Sequence, residues 1–104
     1  MADVIAEVFH EENRVLSNAE VFALICAKYP RREWSRGNMN SHLSGLTVNN
    51  NTSCQHPHLR NRKLLYSPGL GRRRLYDPGR DCVWVCTDSG VQRVDIKRMV
   101  AHVD

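Results

Sequence analysis

The chain has no apolar run of the about 18 residues that a membrane-crossing helix needs, so no transmembrane segment is expected. Its opening, Met1-Ala2-Asp3-Val4, lacks a basic stretch followed by an apolar one, so no secretory signal is read there and a cytoplasmic protein is expected. No internal repeat and no low-complexity tract interrupts it. Catalytic signatures are missing too. There is no Asp/Glu pair with a Lys at nuclease-like spacing, no Gly-rich loop opening a helix with a Lys, and no nucleophile–base pattern, so an enzyme is not expected. The most informative scarcity is of acid. Residues 31–80 hold only Glu33 and Asp77, against ten of the chain's 15 Lys and Arg. That local excess of +8 lies between mildly acidic flanks, a charge layout that suits a polyanion-binding face.

What remains is one modest domain. A length of 104 residues and 41% hydrophobic content suffice for a single core. The pI near 9.1 is in the range of basic nucleic-acid-binding domains. Four cysteines occur, Cys26, Cys54, Cys82 and Cys86. In a reducing compartment disulfides are improbable, and Cys26, in an apolar helical pattern, reads as a buried thiol. Cys54, His56, His58, Cys82 and Cys86 supply zinc-type ligands, but their spacing fits no zinc pattern. Cys82 and Cys86 on one strand would lie about 13 Å apart. Neither a metal nor a cofactor is expected.

Hydrophobic periodicity places the elements. Val4, Ile5, Val8 and Phe9 give a short helix over 3–12, and residues 14–16 turn extended. Ser17-Asn18-Ala19-Glu20 is a capping box, with Leu16 and Val21 as its hydrophobic staple. Phe22, Ile25 and Tyr29 continue the stripe until Pro30 ends the helix. Ser35 caps a third helix over about 36–46 whose core stripe is Met39, Leu43 and Leu46. Its other side carries Gly37, Asn38, Asn40, Ser41 and Ser44, small and polar, with Gly37 and Gly45 allowing close backbone approach; His42 reads as a packed side chain. Residues 47–62 read as a long polar loop, functional or mobile. A hairpin follows, with Lys63–Tyr66 and Arg73–Tyr76 flanking Ser67-Pro68-Gly69-Leu70-Gly71-Arg72, and Asp77-Pro78-Gly79 ends it as a turn. Val83-Trp84-Val85 suits a strand, and Ile96, Met99, Val100 and Val103 suit a helix from about residue 94. Trp34 either caps the core or stacks near a nucleic acid. Trp84 belongs to the core or to an interface.

This order, helix, short strand, capped helix, polar-faced helix and Gly-turned hairpin, is that of an α+β winged helix-turn-helix, with residues 1–80 as the core and 81–104 as an extension packed on it. Residues 14–21, Lys28-Tyr29-Pro30 and the 35–46 helix resemble the helical part of winged-helix domains. Leu64-Leu65-Tyr66-Ser67-Pro68-Gly69-Leu70-Gly71-Arg72-Arg73-Arg74-Leu75-Tyr76-Asp77-Pro78 is similar to their wing, "aromatic, x, x, Gly, x, Gly, x, x, Arg, Leu, Tyr". Such domains include those appended to restriction endonucleases and related bacterial or archaeal DNA-processing proteins. The resemblance covers roughly residues 3–80 and implies duplex-DNA reading, in some members with a preference for modified bases. The chain departs from the pattern in its long 47–62 loop and in having no attached nuclease.

The expected DNA contacts are Arg36, Asn38, Asn40, Ser41 and Ser44 on the third helix, Asn49, Asn50, Arg60, Arg62 and Lys63 in the loop region, and Arg72 and Arg74 on the wing. Asn side chains pair with adenine edges and Ser with either base, while Arg and Lys meet phosphate. Strand alternation sends Arg73 to the face opposite Arg72 and Arg74. The expected partner is double-stranded DNA, not a membrane. The rivals are a protein-interaction winged helix docking an acidic partner, and the specificity module of a DNA-cleaving system whose nuclease is a separate chain.

Overall fold

The computed structural model describes residues 1–94. It is a mixed α+β structure of five helices and two small antiparallel sheets among those residues. Helix α1 spans Ala2–Glu12, strand β1 Leu16–Ser17, helix α2 Asn18–Lys28 and helix α3 Arg36–Leu46. After a short 3-10 turn, Asn51–Gln55, come the one-turn helix α4 (Pro57–Arg60), strands β2 (Leu65–Gly69) and β3 (Arg72–Leu75), the one-turn helix α5 (Pro78–Asp81), and strands β4 (Val83–Thr87) and β5 (Gly90–Val94). One sheet has the order β1-β3-β2, and β4 pairs with β5 as a separate ribbon.

Local chemistry sets the helix starts. The Ser17 hydroxyl accepts from the Glu20 amide at 3.2 Å and the Glu20 carboxylate accepts from the Ser17 amide at 3.0 Å, so the capping box satisfies two otherwise orphaned N–H groups. Leu16 and Val21 of the staple are both buried in the same cluster. Ser35 caps α3 by accepting from the Asn38 amide at 3.2 Å. Asn13 ends α1 in the left-handed conformation at φ 47.

The core joins Val4, Ile5, Val8 and Phe9 of α1 with Leu16, Val21, Ile25, Met39, Leu43, Leu46 and Leu65. The sheet closes it from one side. Leu16 opposes Arg73 and Leu65 opposes Leu75, so these four share the inner face, while Tyr66, Arg72 and Arg74 share the outer one. Ion pairs Lys28–Glu11 and Arg14–Glu20 tie α2 to its neighbours at the surface, with the Tyr29 hydroxyl donating to Glu7 at 2.6 Å.

Several expectations change. The 47–62 segment is no open loop but contains the 3-10 turn and α4. The Asn50 side chain caps the turn by accepting from the Thr52 amide. Gly45 is buried against α4: a Cβ there would lie 2.6 Å from Leu59 Cδ1, so its small size serves helix packing rather than approach by a ligand. Cys54 and Cys86 are disulfide-bonded with Cα atoms 5.8 Å apart, against the expectation of reduced thiols. The 3-10 turn and β4 bring two cysteines distant in sequence face to face, while Cys82 precedes β4 and stays free. Cys26 is half-buried, not fully buried. The helix read from about residue 94 lies outside the described residues, except that Val94 ends β5. Among the described residues no helix is long and apolar enough to cross a membrane.

Candidate nucleic-acid interface

Helix α3 presents its polar side outward because Met39, Leu43 and Leu46 claim the inner one. At about 100° per residue, Gly37, Ser41 and Ser44 form the ridge opposite the core. Gly37 and Ser41 are exposed and Ser44 is half-buried. Asn38 is exposed on one flank, and Asn40 is half-buried on the other, about 200° round the helix from it. The two asparagines therefore cannot address one base edge together. The Ser41 hydroxyl donates to the Gly37 carbonyl at 3.1 Å, which leaves its lone pairs outward. Asn40 Oδ1 is shielded from solvent without a hydrogen-bond partner among the described residues. His42 is half-buried, its Nδ1 2.9 Å from the Asn38 carbonyl oxygen.

Cations cluster at the N-terminal end of α3, where the helix dipole is positive and the first turn carries no acid. Arg36 is exposed, with its guanidinium 4.9 Å from the Phe22 ring centre. Arg32 lies 5.1 Å from the Tyr29 ring and 5.7 Å from that of Trp34. Trp34 itself packs against the core and donates to the Tyr29 carbonyl, so of the two readings of this residue the core cap is the one found. Arg31 and Arg32 lie in the turn between α2 and α3 and are exposed.

Other expected contacts are engaged inside the fold. Asn49 holds the Ser67 backbone at both ends, donating to its carbonyl at 2.8 Å and accepting from its amide at 2.9 Å. Arg60 reaches inward, donating to the Val48 carbonyl, to Ser53 Oγ at 2.6 Å and to the Trp84 carbonyl at 2.7 Å. Burial lowers its pKa from the ordinary arginine value. Arg73 is 7% exposed and bridges Thr47 Oγ1, at 2.9 Å, and Asn18 Oδ1, which joins β3 to the ends of α3 and α2. Burial lowers its pKa as well.

Arg74, on the outer face with Arg72, is nonetheless occupied. It forms a two-pronged pair with Asp81 and lies 4.7 Å from the Tyr66 ring centre. The hydrogen bond from Arg74 to Asp81 raises the arginine's pKa. Arg62 pairs with Asp3 at 2.7 Å on the surface. Arg31, Arg32, Arg36, Lys63, Arg72 and Arg80 are exposed and form no ion pair with a carboxylate of the described residues. The basic stretch thus divides into struts and free charge.

A family model for a domain of unknown function, DUF7669, matches residues 1–75. The chain belongs to the DUF7669 family. No curated protein and no solved structure matches it. The DUF7669 match stops at Leu75, the last residue of β3, so it takes in α1 to α4 and the whole three-stranded sheet.

Beyond the DUF7669 match, α5 and the β4–β5 ribbon are fastened back onto it. Besides the Arg74–Asp81 pair, the Cys54–Cys86 disulfide fixes β4 to the 3-10 turn. The Asn51 side chain accepts from the Val91 amide at 2.9 Å. The Trp84 ring lies 6.2 Å from that of Tyr66 and its indole donates to the Asp81 carbonyl at 2.8 Å. A cavity of about 130 Å³ remains between Arg60, Tyr76 and Trp84. No cluster of three or more metal-type ligands occurs among the described residues.

Proposed function

We propose that this chain is a non-enzymatic winged-helix domain that binds double-stranded DNA. The element order and the β1-β3-β2 sheet support that reading of the fold. Helix α3 then enters the major groove, whose width of about 12 Å accommodates a helix. The β2–β3 hairpin is the wing and lies along the adjacent backbone.

The observation that carries the reading is a carboxylate-free outer face on α3 together with exposed cations that form no ion pair among the described residues. Arg31, Arg32 and Arg36 stand at the helix start and Arg72 on the wing. Phosphate contacts by these residues and Lys63 set position, and Asn38, Ser41 and Ser44 read base edges. Arg60, Arg73 and Arg74 hold the fold in register and take no part in contact. The test is a fluorescence-anisotropy titration of a short mixed-sequence duplex at several salt concentrations. Five phosphate contacts give a log–log salt slope of about −4.5. Absence of duplex binding at low salt overturns the proposal.

A further inference from the structure

The wing ends in an apolar prong. Gly69 pairs with Arg72, so Leu70 and Gly71 form the tip of the hairpin. Leu70 is 102% exposed. Gly71 has φ 72, a conformation that glycine adopts freely, and it turns the chain sharply beneath the leucine. Hairpin tips normally carry Asn, Asp or Gly, which suit both the turn and water. A leucine there gains nothing for folding and leaves a large apolar side chain in solvent.

The stalk is braced as if position mattered. Asn49 clamps both polar groups of the Ser67 backbone, the Ser67 hydroxyl donates to the Gly69 carbonyl at 2.7 Å, and Pro68 restricts the chain between them. Arg72, exposed and unpaired among the described residues, stands directly behind the tip on the outer face. An apolar point backed by a cation matches a DNA groove, where phosphates flank a stack of apolar base faces.

We infer that Leu70 is a wedge that enters the minor groove and inserts between two base pairs, opening the step and bending the duplex, while Arg72 meets the flanking phosphate. Apolar side chains inserted in this way unstack the step and kink the duplex toward the major groove, and flexible pyrimidine–purine steps yield most easily. This inference rests on the DNA-binding reading above and adds to it a deformation of the bound duplex.

The experiment uses a short duplex with a central TA step, end-labelled with a donor–acceptor dye pair and carrying 2-aminopurine at that step. The full chain is compared with Leu70→Ser, Leu70→Met and Arg72→Ala; both sites are exposed and outside the core. Expected are higher energy transfer and brighter 2-aminopurine on binding of the unaltered chain. Leu70→Ser binds about ten- to hundredfold more weakly and loses both signals, as forfeiting the burial of one leucine implies. Leu70→Met keeps both. Arg72→Ala weakens binding but leaves the bend of the saturated complex intact. Duplex binding without bending or unstacking, or bending that survives Leu70→Ser, overturns the wedge and leaves the DNA-binding reading standing. Failure of the unaltered chain to bind any duplex overturns both. Leu70-dependent partition onto phosphatidylserine vesicles, with no change in the duplex signals, assigns the prong to a membrane surface and likewise overturns the wedge.

Discussion

Truncating Arg74 to alanine is expected to weaken the fold before it weakens any partner contact. Arg74 Nη1 lies 2.7 Å from Asp81 Oδ2 in a two-pronged pair whose side chains are 14% and 2% exposed. Without the guanidinium, the Asp81 carboxylate stays buried with one strong donor left, the Asp77 amide at 3.0 Å. Breaking a buried pair on one side costs about 3–5 kcal/mol, and the partial exposure of Arg74 favours the lower end, about 3 kcal/mol. In a domain of this size that lowers the melting temperature by on the order of 15 °C.

The pH dependence gives an independent check. Burial pushes the Asp81 carboxyl up, but hydrogen bonds from Arg74 and the Asp77 amide, with the charges of Arg74 and Arg80, outweigh it and hold the group below its ordinary value. A carboxyl lowered by folding stabilises at neutral pH, and that stability is lost as pH falls below about 4 through the folded value. In Arg74→Ala both contributions of the guanidinium are lost, so the carboxyl rises relative to its value in the unaltered protein. The variant's deficit is then largest at neutral pH and narrows on acidification as Asp81 takes up a proton. Urea titrations of both proteins from pH 7 to about pH 4 measure this. A variant with an unchanged urea midpoint and weaker duplex binding would falsify the strut assignment and return Arg74 to the phosphate track.

Non-reducing alkylation should label Cys26 and Cys82 and spare Cys54 and Cys86, which peptide mass spectrometry reads directly; labelling of all four contradicts the disulfide. Reduction should lower stability by at most about 3.7 kcal/mol, the loop-entropy value for a sequence separation of 32. Gly45→Ala places a methyl 2.6 Å from Leu59 Cδ1 and should cost about 1–3 kcal/mol in thermal or urea unfolding. Adding Leu59→Ala should recover part of that loss, and strict additivity of the two costs argues against the contact. Arg31→Ala and Arg36→Ala should each make the salt slope of duplex binding shallower by about one, whereas Arg80→Ala, in α5, should leave it unchanged.

The helices were legible in the sequence because their signals are local. The capping box at Ser17, the cap at Ser35 and the stripe Met39, Leu43, Leu46 each act within one or two turns. Alternation likewise separates buried Arg73 from Arg72 and Arg74 by face. What alternation cannot say is whether an outer face meets a carboxylate from elsewhere in the chain, so Arg74 reads as free charge until Asp81 comes into view. Asn49 and Arg60 fail to declare themselves for the same reason: their partners Ser67 and Trp84 are 18 and 24 residues away. The 47–62 segment misleads through composition. Its Asn and Ser residues look like loop, yet Asn50 and Ser53 spend their side chains on the 3-10 turn and on Arg60.

All but one of those distant partners have a common origin that bears on the interface. Asp81, Trp84 and Cys86 all lie beyond residue 75, where the DUF7669 match ends. They cover Tyr66 and Arg74 on the outer face of the sheet and pin the turn that follows α3. Of the charged and apolar groups that the hairpin turns outward, Arg72 and Leu70 are the ones left uncovered. Residues 76–94 thus narrow the hairpin's open outer surface to its tip while stiffening its base. A hairpin held in this way can transmit force to a partner at one point, which a loose basic hairpin, free to spread over many phosphates, cannot do. If the brace serves that end, cutting it with Asp81→Asn should leave phosphate-driven affinity nearly intact and reduce the bend of the bound duplex. Equal bending with and without the brace would show that residues beyond 75 stabilise the domain without shaping its contact.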